Sequence, residues 1–431
     1  MFQTPEPDQL EVLDDIVVAV GESGLIEWIG PAADFADPVD HVLGADQRLL
    51  PGLVDLHIHA PQWPQLGTGL DLPLERWLFD HTFPLESRFS DGAFAELVWS
   101  DLVPNLLRHG TTTAVYYGSN HVPATTALAA TCARVGQRAF VGRTAMDHPE
   151  GTPDWYRDRS AGAAVEASAI SVEEIRALGS DLVEPIITPR FIPACTDEAL
   201  TGLGELAAAT GSLVQTHCSE SDWEHGYVLD RFGITDTEAL DEFGLLRPGT
   251  VLAHGGHLVD SDFSRIVDRS SGVAHCPFSN AYFGDAVFPL RRAMQAGVRI
   301  GLGTDIAGGP EPSLLRTASQ AVTSSRMLES GVDPALDRSA RGVAGQRVDI
   351  VSAFWLATVG GASVLGLPVG LLQVGRPFDA IAVDVNGPGS RLWDNEIDDS
   401  SRLFEKIVRS TSSERISHTW VNGRLVSERD R

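Results

Sequence analysis

Basic residues are scarce in this 431-residue chain, and lysine is nearly missing. Lys and Arg number 32 against 59 Asp and Glu, a formal charge of -27, and Lys406 is the one lysine. So acidic a chain lacks the basic face that attracts a phosphate backbone; this excludes nucleic acid as a partner and favours a small neutral or weakly charged substrate. Cysteine is sparse as well. Cys132, Cys195, Cys218 and Cys276 are scattered with no CxxC among them, so neither a zinc ribbon nor a redox pair is indicated and the four read as buried thiols. No apolar run approaches the roughly 20 residues that span a bilayer, so no membrane partner is expected. The opening segment MFQTPEPDQLEVLDD is acidic and lacks the basic and apolar regions of a signal peptide, which makes the cytoplasm the expected location.

The remainder is globular in composition, with 43% hydrophobic and 21% charged residues. The length suits a barrel of about 250 residues or more with a smaller module beside it. Short apolar, β-rich runs recur at LVDLHIH (53–59), TTAVYY (112–117), RAFVGRT (138–144), EPIITPR (184–190), LVQTHCS (213–219), TVLAHG (250–255), GVAHCP (272–277) and RIGLGTD (299–305). Helix-period segments such as DGAFAELVWSDLVPNLLRHG separate them, and continuous apolar strands fit a parallel sheet covered by helices. The expected fold is a (β/α)8 TIM-like barrel over residues 51–366, with a small β-sandwich module built from both termini, 1–50 and 367–431. The most loop-like stretch is GPGSRLWDNEIDDSS (387–401).

Within the first run, His57 and His59 stand two apart. Alternate strand residues share a face, so both imidazoles project to one side, the geometry of a metal-ligand pair. A lone strand histidine is more often a hydrogen-bonded core residue, but these are not alone. His217, His254, His275 and Asp305 also fall at or near the ends of strands, where barrel enzymes carry their chemistry. Three neutral imidazoles and a carboxylate suit one borderline divalent ion, zinc or iron in its place, which supplies an activated hydroxide. Glu220, three residues after His217 in THCSE, is placed to shuttle protons; its blander reading is a solvated loop carboxylate or a helix N-terminal acid.

HxH after an apolar strand, a later HxxE, an isolated His in LAHG and the Asp of GLGTD together resemble the amidohydrolase superfamily, in its branch of mononuclear nucleobase deaminases. Loop segments HAPQWPQLGTGLDLPLERWL (59–78), TFPLESRF (82–89), ITPRF (187–191), AHCPFSN (274–280) and GLGTDIAGG (301–309) are similar, more narrowly, to the guanine deaminases. The resemblance implies one zinc held by His57, His59, His217 and Asp305, with Glu220, His254 and Asp305 catalytic. It implies Gln62 and Arg190 gripping the purine and Phe191 lining the pocket, and a homodimer. Relatives with two bridged metals use a carbamylated lysine on a middle strand, and no lysine lies in this barrel, so a single metal is favoured. His275 resembles a family position but reads as a supporting or structural residue. His148-Pro149-Glu150 matches half of the unrelated cytidine-deaminase signature, yet no CxxC follows, and that fold is rejected.

The implied activity is hydrolytic deamination of guanine to xanthine and ammonia. The run AYFGDAVFPL after Asn280 is bulkier and more aromatic than the family pattern and leaves open an oxidised purine or a pterin ring. The alternative activity is deamination or dechlorination of another heterocycle such as 8-oxoguanine, isoxanthopterin or a triazine on the same scaffold. A catalytically silent relative that keeps the barrel as a scaffold is the reading from outside enzymology.

Overall fold

The computed structural model describes residues 1–386 and 392–429. Eight parallel strands follow one another around a barrel in chain order: Leu53–His59, Thr111–Tyr117, Arg138–Gly142, Val183–Pro189, Leu213–Cys218, Val251–His254, Gly272–His275 and Arg299–Leu302. Each expected run forms its strand. A short extra strand, Thr144–Ala145, pairs with the fourth.

The first and eighth strands meet at their C-terminal ends. Asp305 N–H donates to the His57 carbonyl at 2.8 Å, and His59 N–H donates to the Ile306 carbonyl at 2.7 Å. Just beneath, the buried Asp55 carboxylate accepts the Thr304 N–H at 3.0 Å and its hydroxyl at 2.6 Å. Gly303 permits this approach, because a Cβ there would lie 2.7 Å from the Cβ of His57 and 2.9 Å from the sulfur of Cys276. One expectation shifts here: the eighth strand ends at Leu302, so Asp305 stands three residues beyond it rather than at its end. The chain leaves the sheet through Gly303 and Thr304, and Asp305 adopts a left-handed φ of 51° that a strand cannot hold.

Helices cover the barrel as the periodicity predicts. Gly92–Arg108 begins at Asp91, whose carboxylate accepts the Ala93 N–H at 2.9 Å, and it turns Ala95, Val98, Trp99, Leu102, Val103, Leu106 and Leu107 inward. Trp99 is fully buried, stacks on Phe89 with centroids 4.8 Å apart, and donates its indole N–H to the Ala124 carbonyl. All four cysteines are buried and unbridged.

Both termini build the accessory sheet. Strands Gln47–Pro51, Ala380–Asp384, Ile416–Val421 and Arg424–Glu428 run antiparallel in that spatial order. The hairpin Ile16–Val20 with Ile26–Pro31 packs on it through Val18, Val20, Ile26, Phe378 and Trp420. Arg138 on the third barrel strand reaches Asp379 at 3.2 Å and ties this sheet to the barrel. A further hairpin, Phe2–Glu6 with Gln9–Val12, sends Phe2 against Phe404 of the helix Ser400–Ser410. Of the loop-like stretch 387–401, residues 387–391 lie outside the described residues, 392–399 are loop, and the helix begins at Ser400. Among the described residues no helix is long and apolar enough to cross a membrane.

Candidate metal centre and active site

The strand ends bring His57, His59, His217, His254, Glu220 and Asp305 together at one mouth of the barrel, all of them buried. Asp305 Oδ1 lies 3.2 Å from His57 Nε2 and 3.5 Å from His59 Nε2. His59 and His217 face each other Nε2 to Nε2 at 2.9 Å. His254 Nε2 is 3.6 Å from Glu220 Oε1 and 3.9 Å from Asp305 Oδ2. Three overlapping sets, His57 with His217 and His254, His57 with His59 and Asp305, and Glu220 with His254 and Asp305, each hold their donor atoms within 4.8 Å.

The backbone is strained where these groups are presented. Ser219, His254 and Asp305, after or at the ends of strands five, six and eight, have φ of 54°, 77° and 51°. Non-glycine residues in that region cost on the order of 1–3 kcal/mol each, and such outliers cluster at functional sites.

Hydrogen bonds set the imidazoles' tautomers. His217 Nδ1–H donates to the Arg190 carbonyl at 2.5 Å and His254 Nδ1–H donates to Asn280 Oδ1 at 3.0 Å, leaving both Nε2 lone pairs turned inward. Burial, followed by the neighbouring histidines, pushes His59 and His217 well below the ordinary imidazole range, and burial takes His254 to about 4. All three are therefore neutral, the form that binds metals. Both ring nitrogens of His57 and Nε2 of His254 are buried without a hydrogen-bond partner. Buried polar atoms seldom stay unsatisfied, so orphaned imidazole nitrogens converging on a carboxylate fit a divalent cation.

The two carboxylates part company. Burial, then Asp305 and Glu224, raises the Glu220 carboxyl well above its ordinary value, with Arg190 opposing. Burial also pushes Asp305 upward, but His57, His254 and Ser279 outweigh it and hold Asp305 below the usual range. Burial thus favours the protonated form of Glu220 and the neighbouring imidazoles favour the ionised form of Asp305, opposite biases of the kind acid–base catalysis uses.

Beside this cluster opens a pocket lined by polar and aromatic side chains. Gln62, on the short helix Ala60–Gln65 after the first strand, and Arg190, immediately after the fourth strand, form its polar wall. Phe191, Trp77 and Phe283 supply flat apolar surface, with the Trp77 and Phe283 rings 5.2 Å apart. The aromatic segment after Asn280 thus borders the pocket through Phe283, while Tyr282 is turned outward. His275 stays outside the cluster, its ring 5.1 Å from Phe288, and His148 lies in a loop where Nδ1 accepts the Glu150 N–H.

Three contributors escaped the sequence reading. Glu86 grips both Arg190 and Gln62, Asn280 orients His254, and Tyr117 packs its ring within 4.9 Å of those of His57, His59 and His217. Glu86 and Asn280 sit inside the quoted segments TFPLESRF and AHCPFSN, but nothing in their spacing points to these partners.

The profile of the amidohydrolase family matches residues 48–426. The probable guanine deaminase of Schizosaccharomyces pombe is 38% identical over 395 residues, 90% of this chain and 73% of that protein. The guanine deaminase of Escherichia coli is 31% identical over 433 residues, 98% of this chain and 93% of that protein. The solved guanine deaminase of C. acetobutylicum, with guanine bound in its active site, is similar at a TM-score of 0.87 and 28% identity, over 98% of this chain and 97% of that one. The chain belongs to the amidohydrolase family and, within it, to the family of the guanine deaminases.

Proposed function

We propose that this protein hydrolyses guanine to xanthine and ammonia at one zinc ion, held by His57, His59, His217 and Asp305. The observation that carries the reading is the juxtaposition of neutral, inward-facing imidazoles and two oppositely shifted carboxylates with a flat pocket walled by Gln62 and Arg190. The C. acetobutylicum relative, which holds guanine in its active site, supports the choice of ring. A zinc or iron ion held by His57, His59, His217 and Asp305 would supply the activation of water that the hydrolysis needs.

The chain's own groups do the rest. Glu220 retains its proton because it is buried, and it delivers that proton to the ring nitrogen beside the amino-bearing carbon, which makes that carbon more electrophilic. Asp305 is ionised and accepts a proton as the nucleophile forms. His254, fixed through Nδ1 by Asn280, turns Nε2 toward both carboxylates and steadies the tetrahedral centre. Water adds, the C–N bond breaks, and the departing amine takes up a proton relayed through the carboxylates. Arg190 and Gln62 address the polar edge of the purine, and Phe191 packs against its face.

The same reading assigns residues 51–366 to the catalytic barrel and 1–50 with 367–431 to the composite module, and it takes the protein as a cytoplasmic homodimer. Incubating the metal-loaded protein with guanine tests it: one xanthine and one ammonia should form per guanine consumed, and unchanged guanine would overturn it.

A further inference from the structure

Glu86 is almost entirely buried behind the pocket wall, with 3% of its surface exposed, and its carboxylate is fully engaged. Arg190 donates to it twice, Nη1 to Oε2 at 2.6 Å and Nη2 to Oε1 at 3.1 Å. Gln62 Nε2 donates to Oε1 at 2.9 Å, and the Tyr156 hydroxyl donates to Oε2 at 3.1 Å. Four donors fill the roughly four acceptor positions of a carboxylate, so none is left for a ligand. Whatever Glu86 contributes must pass through the groups it holds.

Those groups are the two polar residues of the purine wall. The amide oxygen of Gln62 is fixed as well as its nitrogen, because Oε1 accepts the Ala307 N–H at 3.2 Å. With a carboxylate on the amide nitrogen and an N–H on the amide oxygen, the side chain cannot be flipped: the reversed amide would set oxygen against carboxylate and NH2 against N–H. One N–H and one lone pair of Gln62 remain, in a set order. Arg190 is fixed on its edge by Glu86 and on its face by Phe83, whose ring lies 4.9 Å from the guanidinium carbon. Phe83 and Glu86 are three residues apart on the same short helix, Phe83–Glu86, so a single turn clamps the guanidinium from two directions. The Arg190 carbonyl meanwhile accepts His217 Nδ1–H, which couples the clamp to the metal side.

We propose that Glu86 is a specificity-determining positioning residue. By holding Arg190 and forbidding the amide flip of Gln62, it presets the donor and acceptor order that admits the lactam edge of guanine and rejects a ring whose 6-oxo group is replaced by an amine. This rests on the guanine reading of the site. A buried arrangement built to pair one hydrogen-bond pattern rejects the swapped pattern strongly, because the swap leaves polar groups unpaired.

The test is steady-state kinetics of wild type and Glu86→Gln on guanine and on 2,6-diaminopurine, with metal content and unfolding midpoint measured on the same samples. The variant keeps the side chain's shape but places an NH2 among donors. Its KM for guanine should rise about tenfold with kcat changed by less than about threefold, and the guanine-to-diaminopurine ratio of kcat/KM should shrink about tenfold. Unchanged KM and unchanged discrimination in a folded, metal-loaded variant would overturn the role of Glu86. If the unpaired guanidinium prevents folding, Glu86→Asp decides instead: it keeps the charge, withdraws it by one methylene, and should raise the KM for guanine about threefold, with no change counting against the proposal. Absence of guanine turnover by the wild type would contradict the guanine reading itself, whereas normal wild-type turnover beside an indifferent variant contradicts only Glu86.

Discussion

His59 and His217, on the first and fifth barrel strands, face each other with Nε2 atoms 2.9 Å apart and rings nearly parallel at 8°. His217 gives its Nδ1 proton to the Arg190 carbonyl, so its inner nitrogen carries a lone pair. Burial keeps both rings neutral, and a divalent cation would satisfy their inward-facing nitrogens.

Metal removal should therefore cost both activity and stability. Dialysis against a strong chelator is expected to abolish ammonia release from guanine and lower the unfolding midpoint, and zinc should restore both. Withdrawing a ligand present at about 100 times its Kd removes about 2.7 kcal/mol of stability. A chelated protein, shown metal-free by elemental analysis, that keeps its activity would contradict the ligand assignment.

Glu220→Gln keeps the volume of the side chain and removes its transferable proton. Turnover of guanine should fall on the order of 10²–10⁴-fold while the metal content stays that of the wild type. Normal turnover in the metal-loaded variant would rule out the proton shuttle.

Asn280→Leu takes away the acceptor that fixes Nδ1–H of His254. A misplacement of about 1 Å in a group that acts on the reacting centre can cost on the order of 10²-fold, and the loss is expected in kcat, since Asn280 orients His254 and is not among the residues lining the pocket. A change confined to KM would move Asn280 from the histidine to the substrate.

Glu224 offers a test of electrostatics through stability. It is fully buried, accepts the Glu220 N–H at 2.7 Å, and is held well above the ordinary carboxyl range by burial and then by Asp236. The folded chain thus binds this proton more tightly than the unfolded chain does. The resulting stabilisation is complete below the unfolded pKa of about 4.3 and is lost as pH rises toward the folded value. Glu224→Gln keeps the acceptor oxygen and cannot ionise, and Glu220 is common to both proteins. The unfolding midpoint of the variant minus that of the wild type should therefore become more positive between about pH 5 and pH 8. A constant or falling difference would contradict the neutral state of Glu224.

The barrel was legible because parallel strands buried on both faces are written as continuous apolar runs; Leu53–His59 and Arg299–Leu302 begin where the residue pattern places them. The histidine cluster was legible for a related reason: a period of two and a strand end are local properties, and His57, His59, His217 and His254 carry them. Asp305 lies beyond its expected strand, since the departure at Gly303 and the left-handed turn at Asp305 follow from contact with His57 rather than from local preference. The Phe2–Glu6 strand carries little local signal, since Pro5 disfavours a strand and is accommodated here in a two-stranded hairpin. Glu86 was hidden for a deeper reason. It meets Arg190 across 104 positions of chain, and no periodicity reports a contact that only the closed barrel creates.

The central claim is that this pocket and its metal deaminate guanine, and kcat/KM for ammonia release addresses it most directly. The metal-loaded protein would be offered guanine, 8-oxoguanine, isoxanthopterin, adenine, cytosine and a triazine side by side. The account predicts guanine turned over at least about a hundredfold better than any other ring, on the scale by which a few well-made polar contacts discriminate. Guanine left untouched while another ring is deaminated would contradict it, and would point to the wall formed by Phe283 and Trp77 as the feature that selects the substrate.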